Sequence, residues 1–124
     1  MSQRSMIELE YPINCSPAVL CHRLNTAAGL AEWFADDVRV KGNRFTFVWD
    51  SFEQTAEMVQ SRDGKCIRFN WIDEEEGYFE FRISKDELTG DVSLMVIDTA
   101  EDGEEEAVEL WNSQIADLKR NLGC

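Results

Sequence analysis

The sequence predicts an α+β domain: an antiparallel sheet of six to seven strands wrapped around a long C-terminal helix, with two short helices after the first strand. Three observations carry this. Short segments between positions 6 and 97 alternate apolar and polar residues with a period of two, and turn residues separate them. One apolar stripe recurs at spacings of three and four over 103–122. A Ser16-Pro17 pair opens a helical stretch just after the first alternating segment. The 124 residues suit a single domain over 1–124, with no internal repeat and no linker to divide it.

The first strand is expected over 6–13, where Pro12 suits an edge position or the strand's close. Ser16 then caps a helix whose apolar face is Val19, Leu20 and Leu24. Asn25 or Thr26 caps a second short helix over 27–34, which ends in the bulky pair Trp33 and Phe34 before Asp36 and Asp37 break the pattern. Strands follow at 38–40, 44–49, 53–61, 66–71, 78–83 and 92–97, with Gly42, Gly64 and Gly90 in the turns. Strands in series with tight turns form an antiparallel meander. In the last helix Val108, Trp111, Ile115, Leu118 and Leu122 make the stripe. Glu104, Glu105 and Glu106 in its first turn and Lys119 and Arg120 in its last complement the helix dipole, and Gly123 supplies a left-handed cap. At ~1.5 Å per residue this helix is about 30 Å long, enough to cross the sheet.

Composition bounds what such a domain can do. Hydrophobic residues make up 44%, too many for a disordered acidic chain. The formal net charge is −13, and its whole imbalance lies in residues 73–109, where fifteen acids face only Arg82 and Lys85. Clusters at 73–76, 101–102 and 104–106 dominate that segment and read first as solvated turns or a helix start. Binding to nucleic acid or anionic membrane needs clustered Lys and Arg, so neither is expected. No apolar run reaches the ~20 residues of a membrane span, and residues 1–5 lack the apolar stretch of a secretory signal. A cytoplasmic domain is expected.

The residues of catalysis and metal binding are sparse. Cys15, Cys21, Cys66 and Cys124 show no paired spacing, so reduced and mostly buried thiols are expected. The only histidine, His22, neighbours Cys21 on a helix, where adjacent side chains diverge too far for a nucleophile pair. There is no Ser/His/Asp set, Walker loop or G-x-G-x-x-G. Residues 98–109 match a calcium loop at Asp98, Asp102, Gly103 and Glu109, but Ala100 fails the third position and a strand precedes the loop. No catalytic residue, metal or cofactor is therefore expected.

The alternation places Phe45, Phe47 and Trp49 on one face of a strand, Ile67, Phe69 and Trp71 on that of another, and Phe79, Phe81 and Ile83 on that of a third. The opposite positions hold Arg44, Thr46, Arg68, Asn70, Glu80 and Arg82. One face is aromatic and uncharged, the other wet. The aromatic face must meet the stripe around Trp111, where its rings either pack as plain core or line a cavity. The two readings share residues and differ in volume.

The order strand, two short helices, meander and long helix resembles the helix-grip fold of the START-like superfamily. Its closest likeness there is to the heat-shock-ATPase-activator-homologue branch. The residues that carry it are Asn14-Cys15-Ser16-Pro17, Leu30-Ala31-Glu32-Trp33-Phe34, Phe45-Thr46-Phe47-Val48-Trp49, Ile67-Arg68-Phe69-Asn70-Trp71 and Leu110-Trp111. The resemblance implies a cavity between sheet and helix for an apolar or aromatic, lipid-like small molecule, and it fixes no activity. Trp33, Phe34, Phe45, Phe47, Trp49, Phe69, Trp71, Phe79, Phe81, Trp111 and Ile115 are the expected ligand-binding residues, with the segment ending in Trp33 and Phe34 covering one mouth. The alternative is a protein-interaction module of co-chaperone type, using the acidic 73–109 segment on a basic partner. Either a monomer or an edge-paired dimer is compatible with such a sheet.

Overall fold

The alternating segments form strands, and the striped segment forms a helix. The computed structural model describes residues 5–50, 52–74, 77–100 and 103–123. Among the described residues the order is β1 (Ser5–Ile13), α1 (Pro17–Asn25), α2 (Ala27–Ala31), β2 (Asp37–Lys41), β3 (Arg44–Trp49), β4 (Phe52–Gln60), β5 (Cys66–Trp71), β6 (Tyr78–Lys85), β7 (Val92–Ala100) and α3 (Glu104–Leu122). Ser51, Glu75, Glu76, Glu101, Asp102 and Cys124 lie outside the described residues, and with them parts of the acidic clusters and of the calcium-loop template.

The seven strands form one antiparallel sheet in the order β1-β7-β6-β5-β4-β3-β2, a meander closed by the return of β7 to β1. Pro12 sits on the edge strand β1, where its missing N–H costs no ladder bond on the open side. The α3 stripe packs Trp111, Ile115 and Leu118 into the core, with Val108 and Leu122 half-buried beside them. Facing them on the inner side of the sheet are Phe45, Phe47, Ile67, Phe69, Phe79, Phe81, Leu94 and Val96, all buried. Gly123, at φ 77°, ends α3 by donating to the carbonyls of Lys119 and Arg120.

Local chemistry explains the departures from the expected boundaries. Thr26, not Asn25, caps α2 through its hydroxyl to Gly29 N. That helix stops at Ala31 because the N–H groups of Trp33, Phe34 and Ala35 all turn back on the single carbonyl of Leu30. This frees Trp33 and Phe34 from a helical path and turns both rings inward. Strand β7 runs to Ala100 because Thr99 and Ala100 pair with Met6 and Ser5 at the start of β1. Val19 does not join the apolar face of α1: it is 47% exposed, and Leu20 and Leu24 alone make the buried contact.

The outer face is not uniformly wet. Glu80 is only 2% exposed, between Ile97 on β7 and Arg68 on β5 in register. Arg68 Nε donates to one carboxylate oxygen at 2.7 Å and Arg82 Nε to the other at 2.5 Å. The long arginine stems cover the glutamate while their heads stay in solvent, and Arg68 also lies 4.0 Å from the Tyr78 ring centroid.

Candidate functional site

At one end the sheet face is incompletely covered. A cleft of about 1150 Å³ lies between α3, residues 31–36 and the ends of β3 to β7. Phe34 occupies the wedge behind it. Its ring centroid is 5.0 Å from that of Phe47, 5.1 Å from Phe79, 5.6 Å from Trp49 and 5.8 Å from Trp111. Its carbonyl accepts from Trp49 Nε1 at 3.1 Å and from Gln114 Nε2 at 3.3 Å, locking the segment to both β3 and α3. The 31–36 segment thus forms a wall of the cleft and plugs the volume behind it.

The structure divides the eleven residues singled out from the sequence. Trp33, Phe34, Trp49, Trp71, Phe79 and Trp111 line the cleft. Phe45, Phe47, Phe69, Phe81 and Ile115 lie behind them in packed core, each at most 3% exposed. Packed core and cleft wall are therefore successive layers of one aromatic cluster. Phe52 and Leu110 on the rim escaped the sequence reading. Both are more than half exposed, and Phe52 stacks on Trp49 with centroids 5.0 Å apart. The signal for Phe52 was its place across the β3–β4 turn, opposite Trp49 in register.

The expectation of an uncharged pocket is overturned. Glu32, Asp36, Asp50, Asp98 and Asp117 line the cleft, and Arg120 is the one cation there among the described residues. Asp98 stands on the inner face of β7, in register with Ile7 and Phe79. The sequence reading missed it because it ended β7 at 97 and assigned Asp98 to a loop. Its Oδ2 accepts from Trp111 Nε1 at 2.8 Å, which fixes the indole of α3 against the sheet. Glu32 accepts from Asn121 at 3.0 Å, and Arg120 pairs with Asp117 at 2.8 Å.

Elsewhere the reactive groups are held in quiet surroundings. Cys15, Cys21 and Cys66 are half-buried rather than buried. Burial pushes the Cys21 thiol up, and burial with the nearby Glu80 charge pushes up that of Cys66, away from the thiolate a nucleophile needs. His22 is exposed on α1. Among the described residues no three His, Cys, Asp or Glu side chains cluster as a metal site requires, and no helix is long and apolar enough to cross a membrane.

A family model described as a START-like superfamily domain matches residues 1–124. The chain belongs to the START-like superfamily. Its START-like fold is shared by the solution structure of BfR322 from Bacteroides fragilis, 38% identical over 98% of this chain and 93% of that one, with a TM-score of 0.68. The Aha1 dimer of Colwellia psychrerythraea aligns at 15% identity over 95% and 92% of the two chains, with a TM-score of 0.72. The AHSA1-like protein of Aeromonas hydrophila aligns at 15% over 96% and 92%, with a TM-score of 0.77. No curated protein matches. The START-like fold generally binds hydrophobic ligands or acts in protein interaction.

Proposed function

We propose that this START-like domain binds a small molecule with an apolar or aromatic body in the cleft between the sheet and α3. One observation carries the reading. The half-buried indoles of Trp49 and Trp71 and the exposed ring of Phe52 line a cleft of about 1150 Å³, somewhat above the ~300–1,000 Å³ usual for small-molecule sites. Removing a ligand's apolar surface from water supplies ~25 cal/mol per Å², and the aromatic walls favour flat or ring-bearing bodies over others. Titrating the ¹⁵N-labelled protein with 2-naphthylmethanol and with decanol tests it. The indole signals of Trp49, Trp71 and Trp111 are expected to move together with a common saturation curve. Indole signals unmoved by either compound up to its solubility limit would overturn the reading.

A second observation favours a protein-interaction role as the alternative. Glu8, Glu104, Glu105 and Glu109 flank a groove of about 480 Å³ between β1 and α3, floored by Ile7, Leu9 and Val108, with no cation among its lining residues. This extends the acidic 73–109 surface to the edge of the sheet, suiting a basic partner segment. Titration with a Lys/Arg-rich peptide, in low and then high salt, separates it from the first reading. Shifts confined to β1 and the start of α3, lost in high salt, support it, and no shift excludes it.

A further inference from the structure

The cleft's polar groups carry a directional bias that its aromatic walls do not reveal. Three of the four indole N–H groups and one N–H of each side-chain amide are engaged inside the protein. Trp33 Nε1 donates to Arg23 O at 2.9 Å, Trp49 Nε1 to Phe34 O, and Trp111 Nε1 to Asp98. The side-chain amides of Gln54 and Gln114 donate to Glu74 and to Phe34 O. Asn121 likewise donates to Glu32 and Arg120 to Asp117, while Trp71 and Ser113 make no such bond and the three amides and the guanidinium each keep further N–H groups.

Acceptors are in surplus. Five carboxylates face one guanidinium, and those of Asp36 and Asp50 have no hydrogen bond or ion pair with a described side chain. Asp36 is nonetheless held in place, since its N–H donates to Val48 O at 2.9 Å. A ligand therefore meets aromatic rings, whose faces carry negative electrostatic potential, and a surplus of carboxylates over cations. An anion is repelled by that surplus. A cation gains from both the rings and the acids.

From this we infer that the cleft selects an organic ammonium ion: a flat or apolar body against Trp49, Phe52 and Trp71, with its charged nitrogen toward Asp36 and Asp50. The inference rests on the small-molecule reading above and adds the charge of the ligand. The Trp111–Asp98 pair, already satisfied, forms the floor, while the rim acids receive the N–H donors.

A charge series on one body tests it: 2-naphthylmethylammonium, 2-naphthylmethanol and 2-naphthoate, each titrated by calorimetry and by the tryptophan indole signals. The ammonium is expected to bind at least tenfold more tightly than the alcohol and the carboxylate least, with the ratio shrinking as salt is added. In the D36N/D50N double variant, whose altered side chains are exposed, the ammonium should lose at least threefold more affinity than the alcohol does. Equal affinity of alcohol and ammonium, or an unchanged ratio in the variant, overturns the charge inference and leaves the small-molecule reading standing. Failure of all three compounds to move any indole signal overturns both.

Discussion

The indole nitrogen of Trp111 on α3 donates to Asp98 Oδ2 on β7 across 2.8 Å, so one hydrogen bond ties the long helix to the inner face of the sheet beside the cleft. A hydrogen bond to a charged acceptor in a partly buried setting is worth about 1.5–3 kcal/mol. Trp111→Phe removes the donor and also part of a buried ring, and is expected to cost at least that amount in urea denaturation with little change in m-value. Asp98→Asn keeps an acceptor oxygen and should cost less. An Asp98→Asn variant as unstable as Trp111→Phe would show that the carboxylate's charge, not the bond to the indole, holds the helix.

The Arg68–Glu80–Arg82 group makes stability depend on acid. Burial alone would raise the Glu80 pKa, but the hydrogen bonds and charges of Arg68 and Arg82 outweigh it and hold the carboxyl below the usual glutamate range. A group with a lowered folded-state pKa contributes stability that is fully present above its unfolded value, about 4.3, and is lost as pH falls through the folded one. Glu80→Gln should cost about 1–3 kcal/mol at pH 7, short of the figure for a wholly buried pair because both arginines are partly exposed. The gap between the two proteins should narrow below pH 4, measured by urea denaturation at each pH. A gap that stays constant down to pH 3 would assign the cost to packing instead.

These two residues also show where sequence patterning stops. Phe47, Phe69 and Phe81 were legible as inner-face residues because alternation in a strand needs only local periodicity, and α3 because its stripe persists for about four turns. Asp98 was not, since a polar Asp-Thr pair at the end of a strand looks like a turn until its partner on β1 is known. Glu80 sat where alternation predicts a solvent-facing residue, and what buries it are stems from another strand and from two positions along its own. The layering of the aromatic cluster depends on Phe34, whose inward turn follows from three N–H groups sharing the Leu30 carbonyl. Propensity cannot foretell that geometry. Local pattern thus reached the elements and their faces, while register and loop geometry decided the cleft.

Gly29 controls that loop geometry through space rather than flexibility. A Cβ built there would stand 2.3 Å from His22 O and 2.7 Å from both Arg23 Cα and Thr26 Oγ1, and two of these atoms are backbone. Gly29→Ala must therefore push α1 and α2 apart, straining the Thr26 cap and the segment that carries Trp33 and Phe34. Overpacking of this kind costs about 1–3 kcal/mol. The variant should unfold at lower urea and show altered Trp33 and Trp49 indole signals in its native spectrum. A native spectrum identical to wild type would mean that the helices absorb the methyl without moving the cleft wall.

Phe52 separates binding from folding. Its ring is 57% exposed and stacks on Trp49 at 5.0 Å, so it shields little core and its removal should change stability by no more than about 1 kcal/mol. In the proposed complex the same ring covers one side of the bound body. An aromatic pair contributes ~0.5–1.5 kcal/mol beyond burial, so Phe52→Ala is expected to weaken 2-naphthylmethanol about three- to tenfold. Phe52→Leu, which restores apolar area without a π face, should recover part of that loss for the alcohol. It should recover less for 2-naphthylmethylammonium, because a cation draws on the ring's quadrupole as well as its area. Titration of both variants with both compounds measures the difference, and equal recovery would show that Phe52 acts by area alone.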